Sequence, residues 1–165
     1  MNRQIEQLKK DGFTGFVSVA SLRNSCSTVP KVRGVYIVLR TSPDAPSFVE
    51  PGTGGFHKGR NPNVSVAELR ENWVEGTPVI YIGKAGGPDS GSTLQKRIKQ
   101  YIDFGLGKAV GHWGGRIIWQ LKDAADLVIA WKPLPTGIPA VEESGMIQAF
   151  KAQNGGKRPF ANLRD

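Results

Sequence analysis

Three short apolar runs, rich in β-branched and aromatic residues, predict three β-strands. They occupy residues 34–40 (GVYIVLR), 78–84 (PVIYIGK) and 126–134 (DLVIAWKPL). Residues of these types fit the pleated, half-buried surface of a sheet. A fourth apolar run, 116–121 (RIIWQL), fits a strand and a helical turn equally well, because so short a run has no decisive period. Residues 13–30 contain aromatic side chains but no clear period.

Four stretches have the period or the end signals of helices: residues 2–10, 65–74, 93–104 and 139–152. The second opens with the Ser-x-x-Glu pattern of a capping box, and the third follows a Ser-Thr pair that suits its N-cap. The fourth begins with a proline, which is well tolerated in the first helical turn. Loops rich in glycine and proline connect these elements.

The helix at 93–104 has a charged side chain on its apolar face. With a step of about 100° per residue, Ile98 and Tyr101 lie within about 40° of the direction of Leu94. Arg97 lies about 60° from Leu94, inside the same apolar arc, whereas the lysines and glutamines of this helix fall outside it. Because arginine is rarely buried without a partner, either this helix faces a polar pocket or the helical period is assigned wrongly here.

The helix at 139–152 shows the same irregularity with the opposite charge. Glu143 lies at the centre of the apolar stripe formed by Ile147 and Phe150, whereas Glu142 lies about 100° away, at its margin. One interpretation is a single buried ion pair between Arg97 and Glu143, which is weak evidence for stability. The other is a catalytic pocket, where inward charges are an expected departure from the pattern.

Charge and cysteine content narrow the classes of function. The 165 residues suit one domain with a substantial core. A net charge of +8 and a pI of about 9.8 favour an anionic partner, most commonly nucleic acid. A single cysteine precludes a disulfide within the chain, and with only two histidines a zinc site is not expected. No signal peptide and no run of about 18 apolar residues is visible, so a cytoplasmic location without membrane attachment is expected.

Five short motifs, in a fixed order, resemble those of the GIY-YIG nuclease superfamily. The first two are GVY at 34–36 and YIG at 81–83. The third is Arg97 in a Leu-x-x-Arg pattern on the helix that follows. The last two are Glu143-x-x-Met-Ile and Pro159-x-x-Asn, which ends at Asn162. Any one of these motifs is common, but the ordered set, spread over most of the chain, is specific.

The resemblance implies an α/β (α+β) domain with a central three-stranded antiparallel sheet flanked by helices. The strands at 34–40, 78–84 and 126–134 would form that sheet. The family usually joins its first two strands by a short hairpin, so residues 41–77 resemble an insertion between them. The core would cover about residues 30–165 of a single domain 1–165, preceded by an N-terminal extension, residues 1–29.

The resemblance also implies a metal-dependent endonuclease that hydrolyses DNA phosphodiester bonds. Glu143 would hold Mg²⁺ or Mn²⁺, since hard cations prefer oxygen ligands. Arg97 would bind the phosphate through paired hydrogen bonds. Tyr36 would be the general base, provided that its pKa falls or its proton leaves during attack, and Tyr81 would position water or phosphate. Asn162 would brace the site through hydrogen bonds.

Further nucleic-acid contacts are expected from basic side chains near these motifs: Lys84, Lys96, Lys99, His112 and Arg116. His112 is also an alternative to Tyr36 as the general base. Two other functions fit the same residues: a non-catalytic module that binds nucleic acid, and a nuclease subunit that requires a partner protein for targeting. RNA is not excluded as a substrate by any of these motifs.

Overall fold

The computed structural model describes residues 2–165 and contains four β-strands in one antiparallel sheet. Strands β2 (Gly34–Leu39), β3 (Val79–Ala85) and β4 (Val128–Pro133) are the three that the sequence predicts. A further strand, β1 (Thr14–Ser18), pairs with β4, so the spatial order is β1-β4-β2-β3. The fold is therefore mixed α/β with an antiparallel sheet, but the expectation of three strands is wrong.

Strand β1 escapes prediction because its backbone is irregular. Gly15 and Phe16 both have positive φ, +89° and +56°, and the pairing with β4 shifts register between Gly15 and Val17. A bulge of this kind adds a residue and so interrupts the two-residue alternation that marks a strand in a sequence. As a consequence, the N-terminal extension, residues 1–29, contributes a strand to the sheet.

The four predicted helices are confirmed, with boundaries that differ by one or two residues, and one short helix is new. Ser65 and Thr93 accept hydrogen bonds from the backbone N–H three residues on, as N-caps do. The undecided run that begins at Arg116 forms a 3₁₀ turn. The helices are α1 (Asn2–Lys10), α2 (Val19–Asn24), α3 (Val66–Asn72), α4 (Leu94–Gly105) and α5 (Pro139–Gln153), with 3₁₀ turns at His57–Gly59, Arg116–Gln120 and Ala124–Asp126.

Strand β2 lies between two hydrophobic cores and is buried along its whole length. Tyr36 and Val38 face the larger core, which α2 and α4 cover together with the 3₁₀ turn 116–120. Val35, Ile37 and Leu39 face a smaller core, which α1 and α5 cover. Successive side chains of a strand point to opposite faces, so the first motif tyrosine is directed towards α4.

The edge strand β3 carries the second tyrosine on the same face. Gly83 pairs with Tyr36, and Tyr81 pairs with Val38. Beyond that point the register shifts by one residue, so that Val79, rather than Ile80, is opposite Leu39. The outer edge of β3 is covered by the C-terminal segment, where Ala161 donates a backbone hydrogen bond to the Ile80 carbonyl at 2.8 Å.

The predicted insertion, residues 41–77, is attached to the body of the domain. Its backbone N–H groups at Val49 and Gly55 donate to the carbonyls of Gln120 and Phe104, at 2.8 and 2.9 Å. The Phe48 ring stacks on Phe160 with the ring centres 5.8 Å apart. Across residues 2–165, every helix is too short or too polar to traverse a lipid bilayer.

Candidate active site

A cavity of about 510 Å³ opens at the outer edge of β3, between α4 on one face of the sheet and α5 on the other. Four sequence elements that are distant along the chain contribute to its wall: β3, α4, α5 and the C-terminal segment. Four of the five motif residues line this cavity: Tyr81, Arg97, Glu143 and Asn162. The fifth, Tyr36, does not.

Glu143 projects from α5 towards β3, on the side of the helix that the wheel predicts. Its side chain is 17% exposed, and it forms an ion pair with Lys84, which follows the YIG motif on β3. The Lys84 ammonium therefore lies at the site because it contacts the Glu143 carboxylate. Glu142, one residue earlier, instead pairs with Lys132 at 2.7 Å, outside the cavity.

Arg97 is half-buried on the inner face of α4 and is held by a loop. Its guanidinium donates a hydrogen bond to the Gly111 carbonyl at 3.1 Å. Within residues 2–165 it has no carboxylate partner within 4.0 Å, so the interpretation of a single ion pair between Arg97 and Glu143 is wrong. The remaining guanidinium N–H groups are available to an anion in the cavity.

Asn162 hydrogen-bonds to the backbone of β3 between the second tyrosine and its glycine. Its side-chain oxygen accepts from the Ile82 N–H, and its side-chain nitrogen donates to the Ile82 carbonyl, both at 2.9 Å. The amide thus takes the place of a neighbouring strand at the outer edge of β3. This pair of bonds fixes the strand next to Tyr81.

The two motif tyrosines lie one behind the other. Tyr81 reaches the cavity wall, whereas Tyr36 is fully buried behind it, with ring centres 6.0 Å apart and an edge-to-face arrangement. The Tyr36 ring also lies so close to the backbone of β3 that residue 83 must be glycine, because a Cβ atom there would lie 2.6 Å from the ring. Burial raises the pKa of Tyr81 to about 12, and burial also raises the pKa of Tyr36 well above its usual value. Of the two conditions for a tyrosine base, a lowered pKa is therefore not met by either residue, which leaves loss of the proton during attack.

Two further rings, those of Tyr101 and His112, lie against the motif tyrosines, and sequence reasoning gave them too little weight. Tyr101, from α4, donates its hydroxyl to the Gly115 carbonyl at 2.6 Å, and its ring stacks parallel on His112 with the centres 4.1 Å apart. His112 is fully buried, and its Nε2 lies 2.9 Å from the Tyr36 hydroxyl. The helical wheel places Tyr101 on the inner face of α4. No local sequence pattern indicates that the ring of His112, which lies in a loop, packs against Tyr101.

The other predicted nucleic-acid contacts are spread over different surfaces. Lys96 and Lys99 are exposed outside the cavity lining, and Lys99 pairs with Asp103 at 2.6 Å. His112 has no exposed surface to offer a nucleic acid. Arg116 is half-buried at the cavity wall, where its guanidinium lies over the Trp113 ring at 4.5 Å.

The donor set at the cavity fits a hydrated divalent ion held by one carboxylate. Glu143 offers an oxygen that Lys84 does not engage. In the described chain, residues 2–165, no three His, Cys, Asp or Glu side chains lie together as a metal cluster. Mg²⁺ commonly retains several waters and takes only one or two protein carboxylates together with substrate phosphates, so these residues fit Mg²⁺ or Mn²⁺.

No family model matches the chain, and no curated protein or solved structure shows significant similarity to it.

Proposed function

We propose that this protein is a metal-dependent endonuclease of the GIY-YIG type that hydrolyses phosphodiester bonds in DNA. The observation that carries the proposal is the meeting of Tyr81, Arg97, Glu143 and Asn162 around one open cavity. These residues come from four separate elements and match four of the five motifs. A scaffold that had lost its activity would not need to bring them together.

The cavity offers a binding place for a phosphate group. Arg97 is anchored by Gly111 and can donate paired hydrogen bonds to phosphate oxygens, which a planar guanidinium does better than an ammonium. Arg116 and Arg164 add positive charge to the same wall. Charge that is fixed before the substrate arrives stabilises the more strongly charged transition state without reorganisation.

A divalent ion at Glu143 would supply Lewis-acid stabilisation of the phosphate and the leaving oxygen. Glu143 would hold it through the carboxylate oxygen that Lys84 leaves free. Lys84 would then move between the carboxylate and the incoming phosphate, both of which attract its ammonium. Tyr81 is the motif tyrosine in contact with the cavity, so it is the one that would orient the attacking water.

The proposal includes DNA as the substrate and the cytoplasm as the location of the protein. The net charge of +8 favours a polyanionic partner. The structure contains one cysteine, Cys26, which is a free thiol. Free thiols are usual in reducing compartments.

One observation favours the alternative of a non-catalytic module that binds nucleic acid. The Lys84 ammonium already neutralises Glu143, as a structural ion pair would. A module of this kind would bind DNA through the same arginines without cleaving it. A nuclease subunit that needs a partner protein would behave in the same way until that partner was added.

The test is cleavage of supercoiled plasmid and of branched DNA by the purified protein in Mg²⁺ or Mn²⁺. Cleavage is expected to be lost in EDTA and in Glu143→Ala. Wild-type protein that binds DNA in a salt-sensitive manner but leaves it intact would favour the binding module or the missing partner. Cleavage that persists in Glu143→Ala would remove Glu143 from the mechanism.

A further inference from the structure

We infer that Arg60, Trp113 and Arg116 form a second phosphate-binding subsite, which holds a phosphate next to the scissile one on the same DNA strand. The scissile phosphate is the one that Arg97 binds in the cavity. The arrangement of the two arginines around Trp113 is a property of the folded protein. The assignment of a DNA strand as the ligand rests on the proposed nuclease function.

The subsite is built around the half-buried ring of Trp113, which both arginines contact. The Arg60 guanidinium lies 4.3 Å from the ring centre, and that of Arg116 lies 4.5 Å from it. The Trp113 ring itself packs edge-to-face on Phe104 of α4, with the ring centres 6.5 Å apart. A cation–π contact attracts a guanidinium to a ring without neutralising its charge. The indole therefore positions two positive charges and supplies no counter-ion.

The protein supplies no counter-ion from elsewhere. Across residues 2–165, no carboxylate lies within 4.0 Å of Arg60 or Arg116, and the buried Arg116 Nε has no hydrogen-bond partner. Because both guanidiniums contact one ring, their charges are at most about 9 Å apart, close to the Debye length at physiological salt. Burial, followed by the charge of Arg60, lowers the pKa of Arg116, whereas the charge of Glu68 raises it. An anion beside both arginines would relieve this repulsion.

The subsite adjoins the cavity, because Arg116 also lines the cavity wall. The segment that carries Trp113 and Arg116 begins close to Gly111, whose carbonyl accepts a hydrogen bond from Arg97 at 3.1 Å. One segment, residues 111–116, therefore holds the arginine for the scissile phosphate and one of the two arginines for the next phosphate.

Arg60 reaches Trp113 because the insertion is anchored nearby. The backbone N–H of Gly55 donates to the Phe104 carbonyl at 2.9 Å. The 3₁₀ turn His57–Gly59 follows, and the Arg60 N–H closes it with a 3.1 Å hydrogen bond to the carbonyl of its first residue. The second subsite therefore depends on residues 41–77, which this chain carries between β2 and β3.

A DNA strand suits this arrangement because its phosphates are closely spaced. Each strand carries one phosphate about every 3.4 Å of helix axis, so neighbouring phosphates of one strand can contact Arg97 and Arg116, which line one cavity. Guanidinium groups bind phosphate oxygens through paired hydrogen bonds. A lone phosphate ion would fill one subsite only, so the two sources of phosphate are distinguishable by affinity.

The first measurement needs no cleavage. Thymidine 3′,5′-bisphosphate carries two phosphates spaced as in a DNA strand and has no phosphodiester bond between nucleosides. An NMR titration of the protein in Mg²⁺ compares its affinity with those of thymidine 5′-monophosphate and inorganic phosphate. The bisphosphate is expected to bind about tenfold more tightly than either, the scale of one additional charge-assisted contact. Equal affinities for the three ligands, or no binding of the bisphosphate, would overturn the inference.

Three variants locate the second phosphate. Arg60→Gln changes an exposed side chain and is expected to lose the preference for the bisphosphate. Arg70→Gln is the matched control and should keep it, because Arg70 is exposed on α3 of the same insertion and lies outside the cavity lining. Arg97→Gln should lose the preference too, because the first phosphate then has no site. A preference that survives in Arg60→Gln would overturn the subsite, and one that survives in Arg97→Gln would overturn its place beside the scissile phosphate.

The second measurement is steady-state cleavage of short DNA. Arg60→Gln is expected to raise the KM by about tenfold while kcat changes little, since the subsite binds DNA away from the reacting atoms. An unchanged KM would overturn the inference. Absence of cleavage by the wild-type protein would refute the proposed function and leave the bisphosphate titration to decide on the second subsite.

Discussion

At the scale of single residues, the side-chain amide of Asn162 satisfies backbone groups that an edge strand would otherwise leave unpaired. It pairs with both the N–H and the carbonyl of Ile82 while it is itself nearly buried. The sequence motif indicates that an asparagine belongs at this position. Only the fold shows that its partner is the residue between Tyr81 and Gly83, because the two segments lie 80 positions apart.

Asn162→Ala is expected to lower the free energy of unfolding by about 1–3 kcal/mol, because it leaves two buried backbone groups without partners. Urea denaturation measures the change. Asn24→Ala is the control: Asn24 is exposed at the end of α2, so its loss should change stability by less than about 0.5 kcal/mol. Equal stabilities of the two variants would mean that the Asn162 bonds do not hold the edge of the sheet.

The carboxylate of Glu143 is shared between Lys84 and the proposed metal ion. Lys84→Met removes the competing ammonium and is expected to strengthen Mn²⁺ binding by about two- to fivefold, the range that corresponds to a partly exposed ion pair. Calorimetric titration with Mn²⁺ measures the affinity. Lys132→Met is the matched control, since Lys132 pairs with Glu142 outside the cavity. Weaker Mn²⁺ binding in Lys84→Met would show that the two cations do not compete for Glu143.

At the scale of elements, strand prediction succeeds where burial is continuous and fails where the backbone is bulged. Strand β2 is apolar and buried throughout, so its residues alone identify it. Strand β1 is short, and its backbone has positive φ at Gly15 and Phe16. Its side chains therefore do not follow the two-residue alternation by which a strand is predicted from sequence. The family resemblance implies three strands, and therefore could not supply the fourth.

The packing of β2 against β3 depends on the glycine of the YIG motif. In Gly83→Ala, the new Cβ atom would lie 2.6 Å from the Tyr36 ring, so the ring must move away from His112. Overpacking of this kind is expected to cost about 1–3 kcal/mol of stability, measured by thermal or urea unfolding.

A glycine on α5 provides the matched control for Gly83→Ala. A Cβ atom at Gly145 would meet nothing within 4 Å, so Gly145→Ala should stabilise the protein by about 0.5–1 kcal/mol through helix propensity. If Gly83→Ala were equally harmless, the close fit of the tyrosine behind the strand would not be required for folding.

At the scale of the whole molecule, the insertion places a positive charge next to Arg116, which lines the cavity. Its Arg60 guanidinium lies over the Trp113 ring at 4.3 Å, and that of Arg116 lies over the same ring at 4.5 Å. Within residues 2–165 neither arginine has a carboxylate within 4.0 Å. Composition predicts a basic protein, but it does not predict that Arg60 of the insertion lies beside Trp113 and Arg116, because that placement depends on contacts between distant residues.

The double variant Arg60→Gln/Arg116→Gln is expected to weaken DNA binding at low salt. The slope of log affinity against log salt should fall by about 1 for each phosphate contact that is lost. Fluorescence anisotropy over a salt series measures both quantities. The control is Arg3→Gln/Lys10→Gln on α1, which also removes two positive charges. It should leave the slope nearly unchanged from that of the wild type. Identical slopes for the two double variants would exclude Arg60 and Arg116 from the DNA interface.

The central claim is that the cavity at the edge of β3 is a metal-dependent phosphodiesterase site, and the most direct test compares two adjacent glutamates. Single-turnover DNA cleavage in Mg²⁺ is measured for Glu143→Gln and Glu142→Gln. Both substitutions are on α5 and remove one negative charge, and each glutamate forms an ion pair with a different lysine. We predict a loss of about 100-fold or more for Glu143→Gln, the scale on which a preorganised electrostatic group contributes, and nearly wild-type cleavage for Glu142→Gln. Equal rates in both variants and the wild type would contradict the account.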